Sequence, residues 1–202
     1  MKIKISEMSG KLKGIQAINT NPLSNLFCQS MNASGNDNCI CTHCYSCSML
    51  LAYRKNCVPV FEQNSQTFIQ KEISADEMPL FNTKNNIVRL HAHGELQNAQ
   101  HLKNLLVIVK NNPTKMFSLY TKRLDIINDV LGVTQTPSNL ILVFSNPLID
   151  APISIVPKYF HKVFNVLRTT NLNKINCGSK NCNSCRNCYD KTKTNILYEM
   201  IK

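Results

Sequence analysis

Ten cysteines gathered toward the two ends of a 202-residue chain constrain its fold more than any other feature. Six lie between Cys28 and Cys57, four between Cys177 and Cys188, and none between Val58 and Asn176. The amino end, Met1-Lys-Ile-Lys-Ile-Ser, has no continuous apolar stretch of the kind that directs export. The thiols are therefore expected in a reducing cytoplasm, where clustered cysteines read as metal ligands or redox groups before disulfides. Three zones follow within one expected domain, 1–202: a Cys-rich entry segment (26–57), an α/β core (58–176) and a Cys-rich cluster tail (177–189).

The Cys-free middle alternates in period. Residues 86–93 read as a strand ending at Gly94. Residues 98–111 place Leu102, Leu105, Leu106 and Val109 at helical spacing behind Asn98 as N-cap. Residues 115–121 read as a second strand and 123–131 as a second helix stopped by Gly132. Residues 139–145 form a third, continuously apolar strand, and 162–168 a fourth. Strands alternating with helices predict βαβ units and a parallel sheet. The expectation is an α/β fold with a partial or open parallel (β/α) barrel-like core and Cys-rich metal-binding segments at both ends. Ligands in such folds sit at the carboxyl ends of the strands, which here carry His91, His93, Gly94, Glu95, Tyr120, Thr121, Lys122, Ser145 and Asn146. The longest apolar run, Leu140–Phe144, is far shorter than the ~18 residues of a membrane span, so no membrane partner is expected.

The tail, Cys177-Gly-Ser-Lys-Asn-Cys182-Asn-Ser-Cys185-Arg-Asn-Cys188, has gaps of four, two and two residues. Two-residue gaps aim successive sulfurs at one centre, and one compact run matches iron–sulfur spacing better than paired zinc knuckles. Zinc is the alternative. In the entry segment Cys41, Cys44 and Cys47 again step by three, with Cys28 and Cys39 as further candidate ligands and Cys57 as a small buried hydrophobe. A helix over 46–55 would put this nest at a helix start, whose positive end favours an anionic cluster. Lys and Arg total 23 against 12 acids, a formal +11. That charge attracts anionic partners such as nucleic acid.

Cys41-Thr-His43-Cys44-Tyr45, followed some fifty residues later by a strand ending His93-Gly94-Glu95-Leu96 and then by βαβ units, resembles the radical S-adenosylmethionine superfamily. The resemblance implies Cys41 and Cys44 as the last two ligands of a [4Fe–4S] cluster with one open iron. It puts His43 in the aromatic place between them, Glu95 on the methionine ammonium and an auxiliary cluster in the tail. Asp37 stands four before Cys41, so Cys28 or Cys39 takes the first ligand place. His93 replaces the second Gly of the family's Gly-Gly-Glu-Pro strand end, and Leu96 its Pro. The chain resembles more closely the gene product 88 family of bacteriophage and mobile-element proteins. That likeness rests on Cys44-Tyr45, on Leu90-His91-Ala-His93-Gly94-Glu95, on Tyr120-Thr121 and on the multi-Cys tail, over about Leu26 to Tyr189. It implies a phage or mobile-element origin, hence the host cytoplasm, and a metal-bearing αβ fold, with no reaction to inherit.

The candidate site is therefore His91 and Glu95 as catalytic groups, with His43, Gly94 and Glu95 holding a cofactor. Cys28, Cys39, Cys41, Cys44, Cys47, Cys177, Cys182, Cys185 and Cys188 are the candidate metal ligands. His101 is expected at the surface of the first helix and His161 without a partner. Lys122 and Arg123 are expected as solvated loop charges, and Lys2, Lys4, Lys11 and Lys13 as an ordinary charged amino end. The expected function is an iron–sulfur protein with one or two [4Fe–4S] clusters, radical S-adenosylmethionine-like or electron-transferring. The alternative is a zinc-stabilised nucleic-acid-binding or interaction protein.

Overall fold

β-Branched and apolar runs separated by amphipathic stretches can pair in parallel only through crossovers, and this chain winds them in strict sequence order. The computed structural model describes residues 2–82, 84–168, 174–178 and 181–201. Its strands are β1 (Ser6–Glu7), β2 (Gln16–Ile18), β3 (Ile87–Leu90), β4 (Met116–Thr121), β5 (Leu140–Ile149), β6 (Lys162–Leu167) and β7 (Ile196–Met200). They form one open sheet in the order β1 to β7, with β1 antiparallel to β2 and every later pair parallel. The helices are α1 (Leu26–Asn32), α2 (Tyr45–Leu51), α3 (Val58–Gln70), α4 (Ala99–Lys110), α5 (Leu124–Leu131) and the one-turn α6 (Cys182–Cys185).

Alternation along each strand gives the sheet two unlike faces. Val88, Leu90, Phe117, Leu119, Leu140, Leu142, Phe144 and Val163 meet Phe68 of α3, Leu102, Leu105 and Val109 of α4, and Ile127 and Leu131 of α5 in the main core. Each such fully buried aliphatic side chain contributes roughly 1.5–3 kcal/mol. The expected stripe Leu102, Leu105, Leu106 and Val109 is buried there, and Asn98 caps α4 by accepting from the His101 N–H at 2.9 Å. On the opposite face Ile141, Val143 and Leu197 pack with Met116, Tyr120, Phe164 and Cys188, while Ile15 and Ile87 pack with Tyr189 and Cys182. Helices therefore cover one face and the second cysteine run covers the other.

Two expectations change. The cysteine groups are not extensions at the two ends of the core. The entry group lies in the connection from β2 to β3, the second group in the connection from β6 to β7, and the sheet includes strands on both sides of 58–176. The helix expected over 46–55 stops at Leu51, and a 3-10 turn at Lys55–Cys57 leads into α3. Among the described residues no helix is long and apolar enough to cross a membrane.

Candidate metal and ligand cavity

β5 runs past Ser145 through an irregular register to Ile149, and this extension fixes the entry cysteines. Ile40 donates its N–H to the Pro147 carbonyl, and Ile149 to that of Asn38, each at 2.8 Å, so Cys39 is bridged to Leu148. Arg168 at the end of β6 ties the same loop through the Asn38 side chain (2.9 Å) and the Asp37 carbonyl. Cys44 then forms the N-cap of α2. One residue into α2, Ser46 Oγ lies 2.8 Å from His93 Nδ1, and the His93 ring stacks between Tyr45 and Phe61. Cys28 sits in α1, whose cap Asn25 accepts from the Cys28 N–H (3.2 Å) and donates to the Glu95 carbonyl (2.9 Å).

The outcome is a cavity of about 440 Å³ with Cys28, Cys41 and Cys44 on one wall and Cys177, Cys182 and Cys188 on another. Lys122, expected as a solvated loop charge, is half-buried here and donates to Ser145 Oγ at 3.1 Å. The Cys47 thiol donates to Cys44. Together with the N–H groups of Cys47 and Ser46 and the Lys122 ammonium, it overcomes burial and lowers the Cys44 thiol to about 6. Burial pushes Cys41 up to about 12 and raises Cys28 as well, while Lys122 draws both down. Cys39 and Cys47 are buried beside this wall rather than on it. Cys57 packs half-buried against Met49, Leu50 and Phe61, as a small hydrophobe would.

At the end of β3 the backbone is bent hard. His91 and Gly94 both have positive φ, 56° and 94°. A Cβ at Gly94 would stand 2.1 Å from Thr20 Oγ1 and 2.6 Å from the Thr20 carbonyl oxygen, so only glycine lets this turn lie against the end of β2. The buried Glu95 carboxylate accepts from the Leu96 and Lys122 N–H groups, each at 2.8 Å, and from the Thr121 hydroxyl. Burial raises its pKa despite those donors. Glu95 thus ties the β3 and β4 loops together at the cavity wall. His43 is exposed, lines the same cavity and places Nε2 3.3 Å from the Asp37 carbonyl.

Three further expectations are corrected. His101 is fully buried, stacked on Phe68 at 4.8 Å, with Nε2 3.2 Å from His91 Nε2. The α4 face between the sheet and α3 is wider than the aliphatic stripe alone. His161 has a partner, because its Nδ1 accepts from the Leu142 N–H at 3.1 Å. Arg123 is only 16% exposed in its side chain; it pairs with Asp125 and donates to the Leu96 carbonyl at 3.1 Å.

The second cysteine group folds onto the sheet's open face. All four of its sulfur-bearing residues, Cys177, Cys182, Cys185 and Cys188, line a neighbouring cavity of about 370 Å³ together with Lys11. Ser179 and Lys180, within this run, lie outside the described residues. Lys11, expected in a charged amino end, lies 3.0 Å from Cys177 Sγ and 2.8 Å from Glu199 Oε1. Burial alone would lower its pKa, but Glu199 and Cys177 hold it raised. The Tyr120 hydroxyl is 2.7 Å from Cys188 Sγ, and the Arg89 guanidinium lies over the Tyr120 ring, 3.2 Å from its centroid. All ten cysteines are free thiols. Among the described residues no three His, Cys, Asp or Glu side chains converge so as to hold a single metal ion.

A family model described as gene product 88 matches residues 6–193. The chain belongs to the gene product 88 family. The match covers β1 to β6 and both cysteine groups and ends just before β7. No curated protein and no solved structure matches the chain. The likeness to the radical S-adenosylmethionine superfamily therefore rests on motif residues alone.

In this gene product 88 chain the sequence reading passes over Arg89 and Lys11 as members of the site, while Tyr120 is among the strand-end residues it names. A single arginine inside a short apolar strand, at the position where a hydrophobe would be expected, was the available signal for Arg89. For Lys11 there was none, since nothing local marks a lysine that meets a cysteine 166 residues away.

Proposed function

We propose that the chain is an iron–sulfur protein with two thiolate sites that share one cavity system. The carrying observation is the convergence of cysteines from the β2–β3 and β6–β7 connections on a single cavity at the strand ends, beside Lys122, Arg89 and Lys11. In the entry site Cys28, Cys41 and Cys44 supply three thiolates, with Cys47 holding the Cys44 thiolate and Cys39 behind Cys41. In the second site Cys177, Cys182, Cys185 and Cys188 supply four. A cube of iron and sulfide is wider than one ion, so its thiolates stand further apart than around zinc. The neighbouring cations offset the negative charge that thiolate clusters bring, one of the levers that set their potential.

Cys28, Cys41 and Cys44 would hold a [4Fe–4S] cluster with one iron free for a ligand, in the cavity that His91, Gly94, Glu95 and His43 also line. Such a cluster supplies an electron to a ligand bound beside it, the chemistry required for reductive cleavage of S-adenosylmethionine. The chain's own contribution is positional. A carboxylate has about four acceptor sites, and Glu95 uses three on Leu96, Thr121 and Lys122. One is left for a cationic group, held rigidly by the β3 and β4 loops. Exposed His43 borders the mouth, and Gly94 keeps the wall there free of a side chain.

The test is anaerobic purification with iron, sulfide and zinc analysis and a visible spectrum. The proposal expects iron and sulfide together, with broad visible absorption that bleaches on reduction. Stoichiometric zinc without visible absorption overturns it and returns the formal +11 charge to the zinc-stabilised nucleic-acid-binding reading.

A further inference from the structure

Two buried donors in the larger cavity lack any acceptor among the described residues, and together they describe a ligand. The first is Arg89. Its Nε is buried with no hydrogen-bond partner, and no carboxylate pairs with its guanidinium among the described residues. Its neighbours are the Tyr120 ring, Tyr189 and Cys188. Arg89 is half-buried and its guanidinium also interacts with the Tyr120 and Tyr189 hydroxyls, but a desolvated Nε–H left without an acceptor is costly, so this donor calls for one.

The second is His91, which is 4% exposed. The Gln97 N–H points at His101 Nδ1 at 3.4 Å, so that nitrogen is the acceptor and the neutral ring of His101 carries its proton on Nε2. That proton faces His91 Nε2 at 3.2 Å, which must accept it. His91 then carries its own proton on Nδ1, and this nitrogen has no partner among the described residues. The relay Gln97–His101–His91 therefore presents one fixed N–H donor. Burial keeps both rings neutral at physiological pH, lowering His91 to about 3 and His101 well below its ordinary value. The backbone of His91 is also held at φ 56°, a conformation retained only where the surroundings enforce it.

Arg89 and His91 stand two residues apart at the end of β3, and both line the cavity, with the Lys122 ammonium on the neighbouring strand end. We propose that this cavity binds a small-molecule oxyanion, a carboxylate or a phosphate, between the Arg89 guanidinium and the His91 Nδ1–H. A planar fork beside a neutral N–H donor suits two oxygens of one such group. At about 440 Å³ the space lies within the roughly 300–1,000 Å³ usual for small-molecule sites. Arg89 also neighbours Cys188 of the second thiolate site, so the assignment is tested on the metal-free and the loaded chain alike.

Isothermal titration calorimetry with inorganic phosphate and, separately, with acetate tests it, using the anaerobically purified chain before and after metal loading. Saturable binding of one or both anions is expected in both forms. Phosphate alone would name a phosphate-bearing ligand and acetate alone a carboxylate. Arg89→Gln and His91→Ala should each weaken binding about tenfold or more. His91→Asn should stay within about threefold of the parent, because its amide N–H can replace Nδ1–H and Asn tolerates positive φ. Asn also breaks the bond to His101, so a merely structural role would be lost in both His91 variants. Three results overturn the assignment: no saturable binding, equal binding by Arg89→Gln, or binding to the metal-free chain that vanishes on loading. The last would make the thiolate centre itself the anion that Arg89 serves. If iron and sulfide are absent while the anion still binds, the oxyanion site stands and the cluster reading falls.

Discussion

Replacing Gly94 with alanine should loosen the site at the point where β2 and β3 meet. The added Cβ would stand 2.1 Å from Thr20 Oγ1, 2.6 Å from the Thr20 carbonyl oxygen and 2.9 Å from its carbon. Thr20 cannot simply retreat: it is fully buried, and its N–H donates to the His93 carbonyl at 3.1 Å. The φ of 94° adds a second penalty for any residue with a Cβ. Left-handed backbone costs an L-residue roughly 1–2 kcal/mol and overpacking a further 1–3, so the expected loss is about 2–5 kcal/mol. Against the ~5–15 kcal/mol of an ordinary domain that is a large share. For a chain of this size it lowers Tm by roughly 4–20 °C. Urea titration followed by circular dichroism measures it directly. Adding Thr20→Ala removes the first contact and leaves the two with the carbonyl, so it should restore stability only in part. A loss below about 1 kcal/mol in the single variant, well under the two terms summed, would refute the close approach of the two strand ends.

Three other outcomes follow from the side chains. Burial lowers His91, His93, His101 and His161 below the ordinary histidine value. The unfolded chain then takes up protons that the folded one refuses. Stability should be full above about pH 6.5 and fall as the pH drops, by up to about 1.4 kcal/mol per unit for each group; urea midpoints unchanged between about pH 7 and pH 5 would contradict this. In metal-free protein Cys44, lowered to about 6, should be alkylated by iodoacetamide well before Cys28 and Cys41, and Lys122→Gln should slow it; peptide mapping showing equal labelling of the three would count against the geometry. Removing the Asn64 side chain, which bonds the Lys4 N–H and the Lys4 and Asn19 carbonyls, leaves buried backbone groups unpaired. Asn64→Ala should cost roughly 1–3 kcal/mol in thermal or urea unfolding, and a neutral result would mean those bonds are not made.

The central βαβ run was legible because its elements obey simple periods. Residues from Ile87 to Leu167 were read within a few positions, including Asn98 as a cap and the doubly buried β5. The sheet's flanks were not. β2 has three residues, too few for alternation to register, and β7 buries only Leu197 of its five, so no apolar run marks it. α3 was hidden for another reason: its buried face includes Asn64 and Ser65, whose hydrogen bonds to Lys4, Asn19 and Asn21 do the work that apolar residues do elsewhere. His101 was misjudged because histidine reads as polar, while its position beside Leu105 and Ile108 puts it under α3. For the site, local spacing grouped the cysteines within each segment. No pattern in one dimension indicates that Cys44 and Cys188 border one cavity, because that depends on the β5 extension and on where the β6–β7 connection crosses the sheet.

Iron content by variant tests the two-site account most directly. With Cys28, Cys41 and Cys44 all changed to serine, anaerobically reconstituted protein should lose one share of its iron and sulfide. It should keep the other share, which the further change of Cys182, Cys185 and Cys188 removes. Iron unaffected by the first triple change, in a chain that still folds, would contradict it.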